Sequence, residues 1–313
     1  VQGNPALGYP GAAATTGISL RETFTERRAS RRAAAMNART LLVFFIFAGA
    51  AAALPQTPTV KDRDTASLGR SLTLHASFDK GLDADFSRGD KACWVQQGKE
   101  LVAAKLNEEV KVVTDAGKFG GALHFTKKGA TRPSFKDAGV LGYNAKSWSC
   151  TVSAWLRTNP DKDLEPGYCD PIQIIGDDTK KGFIFLEWSK DETPRYFRYA
   201  IRPLFPIWNP DNKQWADIPF EKRPMVQVEK APFTREKWTH VAFTVENIND
   251  KSPRGKLYLN GKLQGAIENW DLRFGWDPSK VLLVLGAAYV GFIDDLAVFD
   301  RVLSSEEVGL VFG

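Results

Sequence analysis

Cysteine, histidine and methionine are all scarce in the 313-residue chain, at three, three and two copies. No Cys-x-x-Cys pair occurs, so a zinc site of that spacing is excluded. With only His75, His124 and His240 available, and each read as a strand residue that packs locally, neither a Ser-His-Asp nor a Cys-His arrangement can be argued. An excess of one charge is also missing from most of the chain. The formal +5 is concentrated before Leu54, where six Arg and two Glu stand without a Lys. From Leu54 to the C-terminus the chain holds 36 basic and 35 acidic residues. A nucleic-acid binder shows a basic face or stripe, and this balance supplies none. There is no internal repeat and almost no helical periodicity.

The one long apolar run, Leu41 to Ala53, is 13 residues, short of the roughly 20 that cross a bilayer as a helix. It comes after a short basic stretch, Met36 to Thr40, and ends in Ala51-x-Ala53, a small-residue cleavage pattern. Residues 36–53 therefore read as a signal peptide, with no membrane span in the mature form and a secreted, periplasmic or cell-surface location. Residues 1–35 are Gly-, Ala- and Arg-rich without periodicity and read as an untranslated or disordered leader before Met36. Residues 54–69 read as a linker, and 70–313 as a single domain.

Within that domain the period is two. Ser71 to Asp79 opens it as a strand, and Gly120 to Phe125 is a second, entered through a glycine pair. Trp148 to Arg157 is the strongest strand pattern, with Trp148, Cys150, Val152, Ala154 and Leu156 on one face. Pro171–Gly176, Gly182–Trp188, Tyr196–Arg202, Lys237–Val245 and Val281–Leu285 add five more. Gly255 to Leu263 is a hairpin, because Asn260-Gly261 suits a type I′ turn whose two central residues need positive φ. From Gly291 the alternation places Phe292, Asp294, Leu296 and Val298 on one side and Ile293, Asp295, Ala297 and Phe299 on the other. Ser304 or Ser305 then caps a short terminal helix that opens with Glu306 and Glu307. About a dozen strands with so little helix predict an all-β, two-sheet antiparallel sandwich with a short C-terminal helix.

Three ordered motifs carry a resemblance: W-T-H-V-A-F-T-V (Trp238 to Val245), L-Y-L-N-G-K-L (Leu257 to Leu263) and G-F-I-D-D-L-A-V-F-D-R (Gly291 to Arg301). In this order they resemble the closing strands of laminin-G-like, concanavalin A-like jelly rolls. S-F-D-K-G-L-D-A-D-F-S-R-G-D and Y-C-D-P-I-Q-I are similar to stretches of secreted planctomycete-type bacterial proteins that carry this domain. The resemblance implies a non-catalytic binding module for an extracellular polysaccharide, a glycoconjugate or a surface protein, with structural calcium. It places the first and last strands side by side, and so implies Asp79 with Asp294 or Asp295 as metal ligands, backbone carbonyls completing the shell. Asp79 capping a turn, with Asp294-Asp295 merely ordering the last strand, stays an open alternative. Hydrolases of this fold carry E-x-D-x-E on one strand face, and the chain has no such run. The nearest acidic cluster, Glu187 to Glu192, breaks alternation and reads as a solvated turn. A hydrolase or lyase on the same fold remains the alternative, resting on Glu187, Asp191 or Glu192.

Residues 202–233 hold six prolines and read as a long, stiff loop. Trp208 and Trp215, with Asn209 and Asp211 beside them, make a candidate sugar platform, the aromatic faces meeting pyranose C–H groups and the polar groups its hydroxyls. A lid whose tryptophans are buried is the competing reading. Of Cys93, Cys150 and Cys169, Cys150–Cys169 is the expected bridge, against three buried free thiols.

Overall fold

The computed structural model describes residues 60–313, the side chains of residues 60–63 and of Ala216 excepted. The first strands are β1 (Leu72–Ala76), β2 (Phe86–Ser87), β3 (Trp94–Gln97), β4 (Glu100–Ala103), β5 (Val110–Val113) and β6 (Ala122–Phe125). Next come β7 (Ser134–Lys136), β8 (Trp148–Arg157), β9 (Asp170–Ile175), β10 (Phe183–Trp188), β11 (Phe197–Arg202) and β12 (Met225–Val228). The last five are β13 (Thr239–Ile248), β14 (Arg254–Leu259), β15 (Lys262–Ile267), β16 (Leu282–Ala287) and β17 (Gly291–Phe299). They form two antiparallel sheets. One runs β15-β14-β13-β8-β17-β1-β2, with β6 also on β17 and β5 on β6; the other runs β12-β11-β10-β9-β16-β7-β3-β4.

The core lies between the sheets. Trp148, Cys150, Val152, Ala154 and Leu156 of β8 meet Ile184, Leu186 and Trp188 of β10 and Phe197, Tyr199 and Ile201 of β11 there. This confirms the alternation read for β8. The Asn260-Gly261 turn is as expected, at φ 48° and 73° between β14 and β15. So is the terminal helix, Ser305–Phe312, where Ser304 and Glu307 form a capping box.

The two sheets differ on their outer faces. The first sheet is covered by its own termini. Leu68 of the helix Val60–Ser71 and Val308 of the C-terminal helix bury Leu72, Ala242, Tyr258, Ala297, Phe299 and Leu303. Arg301 ties the two ends together, holding Glu307 through Nη1 at 2.6 Å and Ser67 Oγ through Nη2 at 2.9 Å. The two terminal helices do not extend to the outer face of the second sheet, where Phe185, Ala200 and Met225 pack with Phe183 and Trp215.

Several sequence expectations are corrected. Of residues 54–69, read as a linker, 60–69 make up most of the Val60–Ser71 helix, and 54–59 lie outside the described residues. The proline-rich stretch is interrupted by β12, which adds a strand to the edge of the second sheet. Asp294 and Asp295 do not lie on opposite faces of a regular strand. Ile293, Leu296 and Val298 all reach the core, so two residues separate the first two of them. A β-bulge absorbs the extra residue, with Asp295 at φ 50° and a register shift between Asp294 and Ala297. Cys93, Cys150 and Cys169 are free and buried, so the Cys150–Cys169 bridge is not formed. Cys150 belongs to β8 of the first sheet, while Cys169 is bridged to Trp188 of the second. Burial raises the Cys93 thiol to about 12, which keeps it protonated and unreactive. The leader and signal segment, residues 1–53, lie outside the described residues.

Candidate functional site: the outer face of the second sheet

On β10 the residues alternate with the core set, so Phe183, Phe185 and Glu187 face outward. On β11 the outward set is Arg198, Ala200 and Arg202. Register places Glu187 directly opposite Arg198 and Phe183 opposite Arg202. Glu187 is therefore a buried strand residue, 4% exposed, and not part of a solvated turn. Arg198, equally buried, donates from Nη1 to Glu187 Oε1 at 3.3 Å and from Nη2 to Glu192 Oε1 at 3.0 Å. Its Nε donates to Gln227 Oε1 of β12 at 2.8 Å. Burial raises the Glu187 carboxyl against the pull of Arg198 and Arg202. Asp191 stays outside the cluster, exposed and paired with Lys190 at 3.2 Å.

A second carboxylate joins them. Asp170, at the start of β9, accepts from Gln173 Nε2 at 2.6 Å, and its Oδ1 is buried with no partner among the described residues. Burial, then the charge of Glu187, raises it to about 7. Arg202 and Arg132 pull the other way.

The proline-rich strap folds back over this patch. Arg202 Cζ lies 4.0 Å from the ring centroid of Trp215, 4.7 Å from Phe185 and 4.9 Å from Trp208. Trp208 and Trp215 meet edge to face at 5.8 Å. Arg223 supports the strap, donating to Ile218 O at 2.8 Å and Trp215 O at 3.0 Å, with its Cζ 4.4 Å from the Trp215 ring centroid. The two indoles are half-buried rather than splayed into solvent. Asn209 does not join them as a ligand group, since its amide is spent on Lys213, accepting from its N–H and donating to its carbonyl, both at 2.9 Å. Asp211 is exposed and paired with Lys213 at 3.1 Å. Asp170, Arg198 and Arg202 were missed in the sequence. The available signal was Arg198-x-Ala200-x-Arg202, two arginines on one side of a strand whose other side is apolar.

A separate polar site lies within the first sheet, beyond the end of β1. Pairing of β1 with β17 brings Asp79 and Asp294 to the same glycine loop. Gly121 N donates to Asp79 Oδ1 at 2.7 Å, and Phe119 N donates to Asp294 Oδ2 at 3.0 Å. A Cβ on Gly117 would sit 2.2 Å from Gly121 O and 2.8 Å from both Asp294 Oδ2 and Gly120 O. Three oxygens thus converge where only glycine fits. Asp295 is turned away by the bulge and meets His75 Nε2 at 2.8 Å. Among the described residues no group of three or more His, Cys, Asp or Glu side chains is arranged to hold a metal. The other two histidines also have structural partners: His240 Nε2 meets Ser153 Oγ at 2.8 Å, and His124 stacks on Phe292 at 4.0 Å.

Two stacked antiparallel sheets with a polar, aromatic-roofed outer face define a jelly-roll module. The pattern of the concanavalin A-like lectin/glucanase superfamily matches residues 136–309, and the chain belongs to that family. Among solved structures it is similar to the binding domain of botulinum neurotoxin serotype D, at 17% identity and a TM-score of 0.54. That match covers 80% of this chain and 52% of the toxin domain, so the chain spans about half the length of that domain. It is also similar to domain 4 of an extracellular arabinanase from Geobacillus stearothermophilus, solved with arabinotriose. There the identity is 19%, the TM-score 0.45, and the coverage 78% of this chain and 98% of that domain. No curated protein sequence matches.

Proposed function

We propose that the domain is a glycan-binding module of an exported protein, with its site on the outer face of the second sheet beneath the 203–224 strap. The observation that carries this reading is a set of three buried polar atoms with no partner among the described residues: Asp170 Oδ1, Arg202 Nε and Trp208 Nε1. Each such atom costs about 1–3 kcal/mol when left unsatisfied, and native folds rarely leave several together. Sugar hydroxyls both donate and accept, and so match a carboxylate oxygen, a guanidinium N–H and an indole N–H alike. Export rests on the segment 36–53. The test is a glycan panel on the full-length chain. Trp215→Ala should weaken any hit by about tenfold or more, because the ring holds the Arg202 guanidinium in place. A blank panel from folded protein, with a surface protein captured instead, would replace the glycan by a protein partner.

A catalytic reading has one observation of its own, the buried Asp170 carboxyl raised to about 7 by burial and then by the charge of Glu187. A carboxyl kept protonated near neutral pH suits the general-acid part in cleaving a glycosidic bond. Release of new reducing ends, stopped by Glu187→Gln, would establish it.

The Asp79–Asp294 loop suits calcium, a hard cation that takes six to eight oxygens from carboxylates, carbonyls and water. Asp79, Asp294 and the carbonyls of Gly120 and Gly121 would hold it, and the ion would neutralise two carboxylates between the first and last strands. Saturating calcium at about 100 times its dissociation constant should stabilise the fold by about 2.7 kcal/mol. Asp294→Asn should abolish that rise in melting temperature, and Asp295→Asn should leave it intact. Equal loss in both variants would remove the assignment.

A further inference from the structure

We propose that the glycan bound on this face is acidic, carrying a carboxylate or a sulfate ester, and that Arg202 receives the anionic group. The inference rests on the glycan-binding reading and narrows its ligand class.

Of the arginines at the patch, Arg198 and Arg223 have hydrogen-bond partners and, among the described residues, Arg202 has none. Arg198 is spent on Glu187, Glu192 and Gln227. Arg223 is spent on two strap carbonyls. Arg202 has neither a hydrogen-bond partner nor a carboxylate at ion-pair distance among the described residues. Its Nε is buried, while the side chain as a whole keeps partial exposure. The rings of Trp215, Phe185 and Trp208 hold the guanidinium in place. They answer its charge in part, yet they accept none of its five N–H donors in the way an oxygen does.

The neighbouring acids do not fill the gap. Glu187 is already committed to Arg198, and Asp170 is occupied on one oxygen by Gln173. Burial lowers Arg202 only to about 10, so it is a cation at neutral pH. A planar carboxylate or a sulfate offers two oxygens at the spacing of the guanidinium fork, which a sugar hydroxyl does not. Long-range attraction contributes little, since the chain after residue 53 is nearly neutral. The recognition is local to this one side chain.

Calorimetric titration of the full-length chain tests this with size-matched oligogalacturonate, sulfated galactan and neutral galactan oligomers. The expected result is about tenfold or tighter binding of one acidic oligomer over the neutral one, the scale of a charge-assisted hydrogen bond. The uronate and sulfate arms show which anion is read. Arg202→Met should reduce that preference to about twofold or less, and Arg202→Lys should lose most of it, because a point charge lacks the fork. Equal binding of acidic and neutral oligomers, or a preference undiminished in folded Arg202→Met, would overturn the inference while leaving glycan binding in place. No binding of any oligomer by the folded wild type would remove both. If Arg202→Met does not fold, competition on the wild type decides. Displacement by free galacturonate or sulfate, and not by galactose, upholds the role of the anion; equal displacement refutes it.

Discussion

Arg198→Met should be among the most damaging single substitutions on the second sheet, costing about 3–5 kcal/mol, the usual penalty for stripping one partner from a buried ion pair. Arg198 is 4% exposed and is the ion-pair partner of Glu187, which is itself 4% exposed. Methionine fills the volume but leaves a carboxylate between two strands with no cation at contact distance. At roughly 2–4 °C per kcal/mol for a domain of this size, the melting temperature should drop by on the order of 10 °C. The loss should be conditional on the charge of Glu187. Adding Glu187→Gln to Arg198→Met should recover much of the stability, and lowering the pH should do the same by protonating Glu187. Urea unfolding of the four corners of this cycle gives the coupling directly. A double variant as unstable as the sum of its singles would mean that Arg198 acts through packing and through Gln227, not through Glu187.

The sequence was most legible where a local signal determines local structure. The alternation of β8, the positive-φ pair Asn260-Gly261 and the short terminal helix capped by Ser304 or Ser305 each need only a few neighbouring residues; all three are present, with Ser304 as the cap. The β17 bulge was not legible in the same way. Asp294-Asp295 fits an unbroken alternation equally well, and only the core positions of Ile293 and Leu296 reveal the extra residue. Aspartate tolerates the left-handed backbone better than most side chains, so no glycine marks the place. Glu187 was read into a solvated turn because its partner is defined by cross-strand register, through the Glu187–Arg198 pairing of β10 with β11. The Arg202 box is less local still. Its rings come from β10 and from a strap that must fold back before Trp208 and Trp215 reach the guanidinium. Cys150 and Cys169 looked pairable in the chain because only their assignment to opposite sheets separates them.

Asp170→Asn should make the protein more stable, and the gain should grow with pH. Its folded value of about 7 lies above the ordinary 3.8 because burial, and then Glu187, oppose the charge. Between these two values the folded chain holds a proton that the unfolded chain releases. Stability from this group is therefore fully present below about pH 4 and lost as pH rises through 7. The shift corresponds to about 4 kcal/mol at 1.36 kcal/mol per unit. Asparagine never ionises and can still accept from Gln173, so the variant should match the wild type near pH 4 and exceed it by a few kcal/mol at pH 8. His240 makes a useful contrast, because burial lowers it to about 3. Its contribution is present above about 6.5 and is lost as pH falls toward 3, the opposite slope. A pH-independent effect of Asp170→Asn would show that the carboxyl titrates normally and is solvated. The predicted divergence would show a carboxyl whose ionisation weakens the fold at neutral pH, beside an arginine held without an acceptor. Both costs fall on the one outer sheet face that the terminal helices leave uncovered. That is where a ligand supplying hydroxyls to Asp170 and an anion to Arg202 would offset them.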